Sequence, residues 1–345
     1  MSASIITGIS RGEFTLTEFL LEYGLFLSKF LTVAVVIAAA VIIIMLFVSH
    51  SKMAHEDHIE VRNLNQKYEQ LELLLKSSIL PKKLLKKDLK QFRKDHKEKE
   101  KHPDTERNRL FVLRFDGDIR ATGASSLAEE VTAVLMIARN NDEALVVLES
   151  AGGTVHGYGY AASQLARIRD KGIKLTVAVD KVAASGGYMM ACVADRIIAA
   201  PFAIIGSIGV LAQIPNFNRL LKKHDIDFEQ ISAGKYKRTL SLFGENTDEG
   251  REKFCEELEE AHELFKKFVK ENREQVDIDA IATGEHWYGQ KALDLKLVDE
   301  ISTSDSFLTE ASKSRDLYEI RHQRRKSMTE KLMSSFTSAY EYIRG

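Results

Sequence analysis

The chain contains few cysteines and carries almost no excess of charge, and each shortage excludes a class of protein. Its 345 residues include two cysteines, Cys192 and Cys255, whose wide separation fits neither a metal-binding motif nor a disulfide framework. Lysine and arginine nearly balance aspartate and glutamate, which leaves a net charge of −1. Because nucleic-acid-binding proteins usually carry a basic excess, this balance argues against a general nucleic-acid partner.

Histidine is missing near the most informative serine, Ser185, which lies in the run Ala-Ala-Ser-Gly-Gly-Tyr. A serine hydroxyl is a poor nucleophile unless a base lies beside it, and the nearest histidines in sequence are His156 and His224. Lysine can be that base when apolar surroundings desolvate its amine. Lys235 and Lys237 lie in a segment that mixes apolar and basic residues, so burial of one of them would supply a base for Ser185.

Residues 30–49 contain no charged side chain and consist mainly of Val, Ile, Ala and Leu. This is the length that a helix needs to cross a bilayer, so it predicts a transmembrane helix. A cleaved signal peptide is the alternative, but about thirty residues precede the run, including Glu13, Glu18 and Glu22. The run is also longer than the core of a typical signal peptide, and we therefore expect an anchor.

The regions on either side of the central part of the chain are rich in charge. After an N-terminal flank (1–29) and the apolar run (30–49), residues 50–108 predict a helical spacer and linker divided by Pro81. A partner-binding or membrane-surface helix is the alternative for this stretch. A central domain at 109–303 is followed by residues 304–345, which predict a basic helical tail.

The central domain alternates short Val- and Ile-rich runs with helical patterns. We predict strands at 110–115, 144–148, 175–179 and 196–199, and helices at 126–139, 158–170, 188–194 and 248–275. This alternation is typical of βαβ units around a largely parallel sheet, and hence of an α/β fold. Active sites of such sheets collect at the carboxyl ends of strands, where Gly152 and Ser185 both fall.

Four short motifs in a fixed order carry a resemblance to a known family. They are Ser-Ala-Gly-Gly at 150–153, Val-Ala-Ala-Ser-Gly-Gly-Tyr at 182–188, Gly-Ser-Ile-Gly-Val at 206–210 and Ser-Ala-Gly-Lys-Tyr-Lys at 232–237. Together they resemble the signal peptide peptidase A family, and the single-repeat, membrane-anchored layout is closest to its SohB branch. The resemblance covers roughly 109–301 and implies a Ser/Lys peptidase on a ClpP/crotonase-like fold, here with an N-terminal transmembrane helix.

The resemblance assigns roles to individual residues. Ser185 matches the family's nucleophile, and Lys237 matches its general base because the family lysine closes a Gly-x-x-Lys pattern. Lys235 ranks second as the base on that motif. Ser207 matches a serine that holds the lysine by hydrogen bonding, a role that orients the amine for proton transfer.

An oxyanion hole needs backbone N–H groups that come close to the substrate oxygen, and glycine permits that approach. By resemblance, Gly152 and Gly153 supply one donor, and the N–H of Gly186 would be the second. The chain departs from the family at Ala151, where a proline is usual. This change would either loosen the turn modestly or alter the substrate preference, and it does not by itself remove a donor. A catalytically weak or inactive membrane scaffold is therefore one alternative, and a crotonase-like acyl-CoA enzyme without need of Ser185 is another.

Residues and resemblance together predict a membrane-anchored serine endopeptidase that forms an acyl-enzyme and requires no metal or cofactor. By resemblance, its substrates are hydrophobic peptides, signal-peptide remnants or membrane proteins, and its other partners are the lipid bilayer and further copies in a homo-oligomer. We expect a single-pass protein of a bacterial cytoplasmic (inner) membrane. The positive-inside rule favours a cytoplasmic body, whereas the resemblance favours the outer face, so both orientations stay open.

Overall fold

The computed structural model describes residues 16–52, 58–101 and 107–323. In the N-terminal unit, the described part is one helix, α1 (Leu16–Lys52), with exposed apolar side chains such as Phe26, Leu31 and Val36. No helix among the described residues is long and apolar enough to cross a membrane. The transmembrane helix predicted at 30–49 is thus not confirmed, and the side chains of residues 43–49 lie outside those described.

The rest of the described chain forms a second compact unit of strands and helices. Its strands are β1 (His58–Asn63), β2 (Arg109–Gly117), β3 (Glu143–Ser150), β4 (Lys174–Val179), β5 (Val182–Ala184), β6 (Arg196–Ala199), β7 (Ile204–Gly206), β8 (His286–Tyr288), β9 (Glu300–Ile301) and β10 (Asp316–Gln323). Its helices are α2 (Leu64–Ile79), α3 (Lys82–Lys101), α4 (Ala124–Ile137), α5 (Val155–Asp170), α6 (Gly186–Ala191), α7 (Asn218–Lys223), α8 (Asp248–Asn272), α9 (Ile278–Ile281), α10 (Gly289–Asp294) and α11 (Ser304–Ala311).

One branched sheet organises this unit. Its main path runs β1-β10-β2-β3-β4-β6-β9, and every neighbouring pair along it is parallel except β1 and β10. The branch begins at the end of β3, which pairs with β4 as far as Val147 and then with β5 at Ser150. From β5 the branch continues to β7 in parallel and to β8 in antiparallel pairing. The carboxyl ends of β3, β5 and β7 therefore lie side by side.

Both faces of the main path are covered, as the Val- and Ile-rich strands predict. On one face, buried residues of α4, α5 and α6 pack against alternate residues of β2 and β3, such as Leu113 and Val146. On the other face, Leu110, Leu145 and Ile198 pack against a smaller cluster that includes residues of α2 and α11. The α/β prediction is confirmed, and most predicted central elements match the structure within a few residues.

The compact unit extends beyond the predicted domain of 109–303 at both ends. β1 comes from the predicted spacer and pairs over six residues with β10, which comes from the predicted helical tail. The Asn65 side chain reinforces this contact, since its amide nitrogen donates to the Ser312 and Arg315 carbonyls and its oxygen accepts the Leu317 N–H. Ile59 of β1 packs against the main core, whereas Val61 is exposed at the edge of the sheet. Residues 324–345 lie outside the described chain.

Candidate functional site

The turn between β5 and α6 holds Ser185 in a strained conformation. Its φ is 52°, which is uncommon for a residue with a Cβ, and its N–H donates to the Gly206 carbonyl at 2.7 Å. Its own carbonyl accepts the Met189 N–H at 3.0 Å, which starts the first turn of α6. Strain of this kind persists only where the surroundings hold it, and it clusters at active sites. The half-buried Ser185 therefore lies in a turn that backbone hydrogen bonds hold in place at the carboxyl end of a strand.

The predicted glycine turn packs directly against this serine. Gly152 has a φ of 92°, and a Cβ added to it would lie 2.7 Å from the Cβ of Ser185 and 2.8 Å from the nitrogen of Gly186. Both the positive φ and the close approach require glycine at this position. The structure thus brings Gly152, Ser185 and Gly186 together, although they come from two separate motifs.

The two predicted glycine donors differ in what their N–H groups do. The Gly152 N–H donates to the Ser150 hydroxyl at 3.0 Å, so this group is already engaged. The Gly153 N–H has no acceptor among the described residues, and Gly153 is exposed. A Cβ on Gly153 would lie 2.0 Å from the Ile119 carbonyl oxygen, which excludes any larger residue. Gly153 is therefore the available donor of the pair.

The second predicted donor, the N–H of Gly186, is the first N–H of α6, and such a group has no acceptor within its own helix. Gly186 is buried, and a Cβ there would lie 2.4 Å from the Cγ of Tyr158. The neighbouring α5 side chain thus fixes the path of the chain immediately after Ser185. Two backbone donors, Gly153 and Gly186, flank the serine.

Ser207 leaves β7 at the position that corresponds to Ser185 on β5. The strands pair in parallel, with Ala184 opposite Gly206, so the next residue of each strand emerges at the same edge of the sheet. Ser207 also has a φ of 52°, and its N–H donates to the Glu285 carbonyl at 2.6 Å. The structure therefore brings the predicted supporting serine to the site.

Lys237 lies in a different environment, within residues 210–247, where α7 is the one helix the structure describes. The lysine is exposed and lines an open cavity of about 880 Å³ with apolar residues such as Phe228, Ile231 and Leu242. In the described structure, no hydrogen bond joins Lys237 to Ser185 or Ser207. Among the described residues, the single chain brings the predicted nucleophile and glycine turn together without a hydrogen bond to the predicted base.

Lys235, the second candidate for the base, is engaged elsewhere. Its ammonium lies 2.5 Å from a carboxylate oxygen of Glu249 and 5.0 Å from the centre of the Tyr236 ring. The hydrogen bond to Glu249, followed by contact with Tyr236, raises the pKa of Lys235 above its ordinary value. A general base must be neutral, so this surface ion pair disfavours Lys235 for that role.

Two residues that the sequence analysis gave no role stand behind the glycine turn. The Ser150 hydroxyl lies 2.5 Å from the hydroxyl of Tyr158, which in turn donates to the Asp118 carbonyl at 2.8 Å. Both side chains are buried. The spacing of Tyr158, in the first turns of the helix after the glycine pair, is the signal that could have indicated it.

Among the residues described, no group of three or more His, Cys, Asp or Glu side chains is placed to hold a metal ion.

Comparison with known proteins extends over nearly the whole described chain. A family model described as Peptidase family S49 matches residues 167–318, and one described as Peptidase family S49 N-terminal matches residues 18–165. "Probable protease SohB" of Haemophilus influenzae is 49% identical over 327 residues, which is 92% of each chain. "Probable protease SohB" of Buchnera aphidicola subsp. Schlechtendalia chinensis is 49% identical over 84% of this chain and 99% of that relative. A solved structure of the 1510-N membrane-bound stomatin-specific protease with a substrate peptide aligns at a TM-score of 0.39 and 15% identity, over 67% of this chain and 99% of that one.

Proposed function

The chain belongs to peptidase family S49 and is a serine peptidase, and on this premise we propose that Ser185 is its nucleophile and Lys237 its general base. The observation that carries the proposal is the packing of the strained Ser185 turn against Gly152, beside a Gly153 N–H that no described residue accepts. A nucleophile and a backbone donor are thus available to the same substrate carbonyl. By resemblance, we assign the α/β body to the ClpP/crotonase-like type.

In the proposed reaction, the Ser185 oxygen attacks a peptide carbonyl while the neutral Lys237 amine takes the hydroxyl proton. The negative charge on the carbonyl oxygen is stabilised by the N–H groups of Gly153 and Gly186. Lys237 then returns the proton to the leaving amine, which leaves an acyl-enzyme on Ser185. Water, deprotonated by the same lysine, releases the acid. Ser207 orients the lysine by a hydrogen bond.

A lysine base must be desolvated, yet Lys237 is exposed in the single chain. The segment around it also exposes large apolar side chains, including Leu211, Leu220, Ile226, Ile231 and Tyr236. Exposed apolar surface of this extent usually marks an interaction site. We therefore propose that residues 211–243 pack against further copies of the chain in a homo-oligomer, which removes water from Lys237.

The test is cleavage of a fluorogenic hydrophobic peptide by the full-length protein in detergent. Wild type is compared with Ser185→Ala, Lys237→Met and Lys235→Met, and the size of each assembly is measured by light scattering. We expect the Ser185 and Lys237 variants to lose activity at least about a thousandfold. Lys235→Met is the matched control, since it removes a neighbouring ammonium that pairs with Glu249, and we expect it to stay active.

Each other outcome has a defined meaning. Equal activity of all four proteins would refute the pairing of Ser185 as nucleophile with Lys237 as base. It would favour an inactive membrane scaffold or a crotonase-like acyl-CoA enzyme. Loss of activity in Lys235→Met but not Lys237→Met would keep the nucleophile and reassign the base. A wild type that is fully active as a monomer would contradict the proposed oligomer.

We also propose that residues 30–49, which carry no charge, anchor the chain once in the bacterial cytoplasmic membrane. The full-length chain should stay in the membrane pellet after alkaline carbonate extraction, and its release would contradict the anchor. The two native cysteines can then show on which side of the membrane the folded body lies. Cys255 is exposed and open to a thiol reagent, whereas Cys192 is buried, and burial raises the pKa of its thiol to about 12. A membrane-impermeant maleimide should label Cys255 without lysis only if the body faces outward, and Cys255→Ala gives the background.

As substrates we propose hydrophobic peptides, including signal-peptide remnants and segments of membrane proteins. Phe228, Ile231 and Leu242 line the open cavity beside Lys237, so a peptide that reaches the base passes apolar side chains. We expect kcat/KM to fall at least about tenfold when one apolar side chain of a good peptide is replaced by lysine. Equal values for the two peptides would contradict this preference.

A further inference from the structure

The two hydroxyl groups behind the glycine turn point to a role in catalysis that rests on the proposed function. We infer that Ser150 and Tyr158 are positioning residues of the oxyanion hole: Ser150, held by Tyr158, accepts the N–H of Gly152 and thereby fixes the direction of the Gly153 N–H toward the reacting carbonyl. Neither side chain touches the substrate in this proposal. Both act through the backbone of the turn.

The donor and the acceptor of each hydrogen bond among these residues can be assigned in only one way. Tyr158 has a single hydroxyl hydrogen, and the Asp118 carbonyl at 2.8 Å can only accept it. The Ser150 hydroxyl must therefore donate to the Tyr158 oxygen at 2.5 Å. With its hydrogen committed, Ser150 accepts the Gly152 N–H at 3.0 Å. Burial also raises the pKa of Tyr158, which keeps the phenol protonated as a donor.

The space around this chain of hydrogen bonds leaves little freedom to rearrange. Ser150 and Tyr158 are 2% and 0% exposed, so water does not compete for their hydroxyl groups. A Cβ on Gly117 would lie 2.4 Å from both hydroxyl oxygens. A Cβ on Gly186 would lie 2.4 Å from the Tyr158 ring. The tyrosine thus contacts the backbone of the nucleophile turn while its hydroxyl holds the glycine turn, and it sets the spacing of the two donors.

This arrangement also explains how the turn is held without a proline. Ala151 is exposed and does not restrict its own φ as proline would. The hydrogen bond from Gly152 to Ser150 closes the turn around Ala151 instead. Because Gly152 is engaged in this way, the next N–H along the chain, that of Gly153, is directed away from Ser150 and is the one left for substrate.

The test uses Tyr158→Phe, Ser150→Ala and the double variant in the full-length detergent-purified protein. Tyr158→Phe keeps the ring against Gly186 and removes only the hydroxyl. Complete loss of an oxyanion donor costs about 10²–10³ in kcat, so misdirection of one donor should lower kcat about 10- to 100-fold with little change in KM. The double variant should be no worse than the poorer single variant, since both substitutions break the same chain.

A second readout separates positioning from general damage. A peptidyl aldehyde places an oxyanion in the hole after addition of Ser185, whereas the matching peptidyl alcohol does not. In Tyr158→Phe and Ser150→Ala, the aldehyde should bind about 10- to 100-fold more weakly while the alcohol binds as to wild type. Tyr188→Phe is the matched control, because it also removes a buried tyrosine hydroxyl, here bonded to the Leu297 carbonyl at 2.9 Å. Tyr188→Phe should leave the ratio of aldehyde affinity to alcohol affinity as it is in wild type.

Unchanged kcat and aldehyde affinity in both single variants, with Ser185→Ala inactive, would overturn the positioning role and leave the proposed function intact. An equal loss of aldehyde and alcohol binding, accompanied by a lower melting temperature, would also overturn it, because it would indicate a structural role alone. Retained cleavage by Ser185→Ala would instead refute the proposed function. The two failures are therefore distinguishable.

Discussion

Glu130 should make the stability of the body depend on pH, because its carboxyl group is buried in α4. The side chain is 6% exposed, and its oxygen accepts the His322 N–H from β10 at 2.8 Å. Burial raises the pKa of Glu130 from 4.5 to about 7, while the His322 N–H and Arg321 oppose this effect and Glu319 adds to it. One pKa unit corresponds to about 1.4 kcal/mol, so the carboxylate form costs the folded state about 3 kcal/mol.

Whether stability rises or falls with pH depends on which state of the protein, folded or unfolded, binds more protons. Between pH 4.5 and about 7, the folded protein holds a proton on Glu130 that the unfolded chain has released. The contribution of this group to stability is thus fully present below pH 4.5 and is lost as the pH rises through about 7. Glu130→Gln carries no charge at any pH and keeps an acceptor for His322. The variant should match wild type near pH 4.5 and exceed its free energy of unfolding by about 2–3 kcal/mol at pH 8.

Urea unfolding from pH 4.5 to pH 8 measures this difference, with both proteins carrying Ser185→Ala to prevent self-cleavage. Glu129→Gln is the matched control, because Glu129 is the exposed neighbour on the same helix and should show no such pH dependence. A stability difference between Glu130→Gln and its parent that stays constant across this pH range would refute the reasoning. A difference of opposite sign at pH 8 would do so as well.

Three further substitutions test other contacts. Arg273→Met removes a buried guanidinium that binds Asp299 at 2.7 Å, and urea unfolding should show a loss of about 3 kcal/mol; a loss under 1 kcal/mol would contradict a structural role. Gly153→Ala forces a Cβ toward the Ile119 carbonyl and should reduce peptide cleavage about a hundredfold, whereas wild-type activity would remove Gly153 from the site. Thr247→Ala deletes the N-cap of α8 and should lower stability by about 1 kcal/mol, measured against wild type by the same method.

The sequence predicts the central elements well because their physical signals are local. β2, β3 and β4 contain continuous apolar runs, and Thr247, a residue type that favours the N-cap position, accepts the Gly250 N–H at the start of α8. β1 escaped prediction because its six residues lie in a highly charged stretch with a helical pattern, and because its partner, β10, lies more than two hundred residues later. β5 and β7 contain three residues each, too few for a periodic pattern.

In the candidate site too, short motifs identify some residues, whereas the roles of others depend on contacts between residues that lie far apart in the sequence. The glycines at 152, 153 and 186 could be singled out by the family resemblance of their motifs, and the structure leaves no room for a Cβ at any of them. Which of the first two offers its N–H depends on the Ser150 hydroxyl, and that choice requires coordinates. Lys237 was chosen by resemblance, and its exposed position in the single chain is a feature that no local pattern reports.

The position of β10 between β1 and β2 has a consequence for how the chain is made. β2 and β10 pair in parallel although about two hundred residues separate them, and among the described strands β10 is the one partner of β1. At translation rates of about 5–20 residues per second, β2 waits on the order of 10–40 s for its outer neighbour. During that interval a parallel strand edge stays open, which is a state prone to wrong pairing. A chain cut before Asp316 would remain in that state, because both β1 and β2 would lack the strand that lies between them.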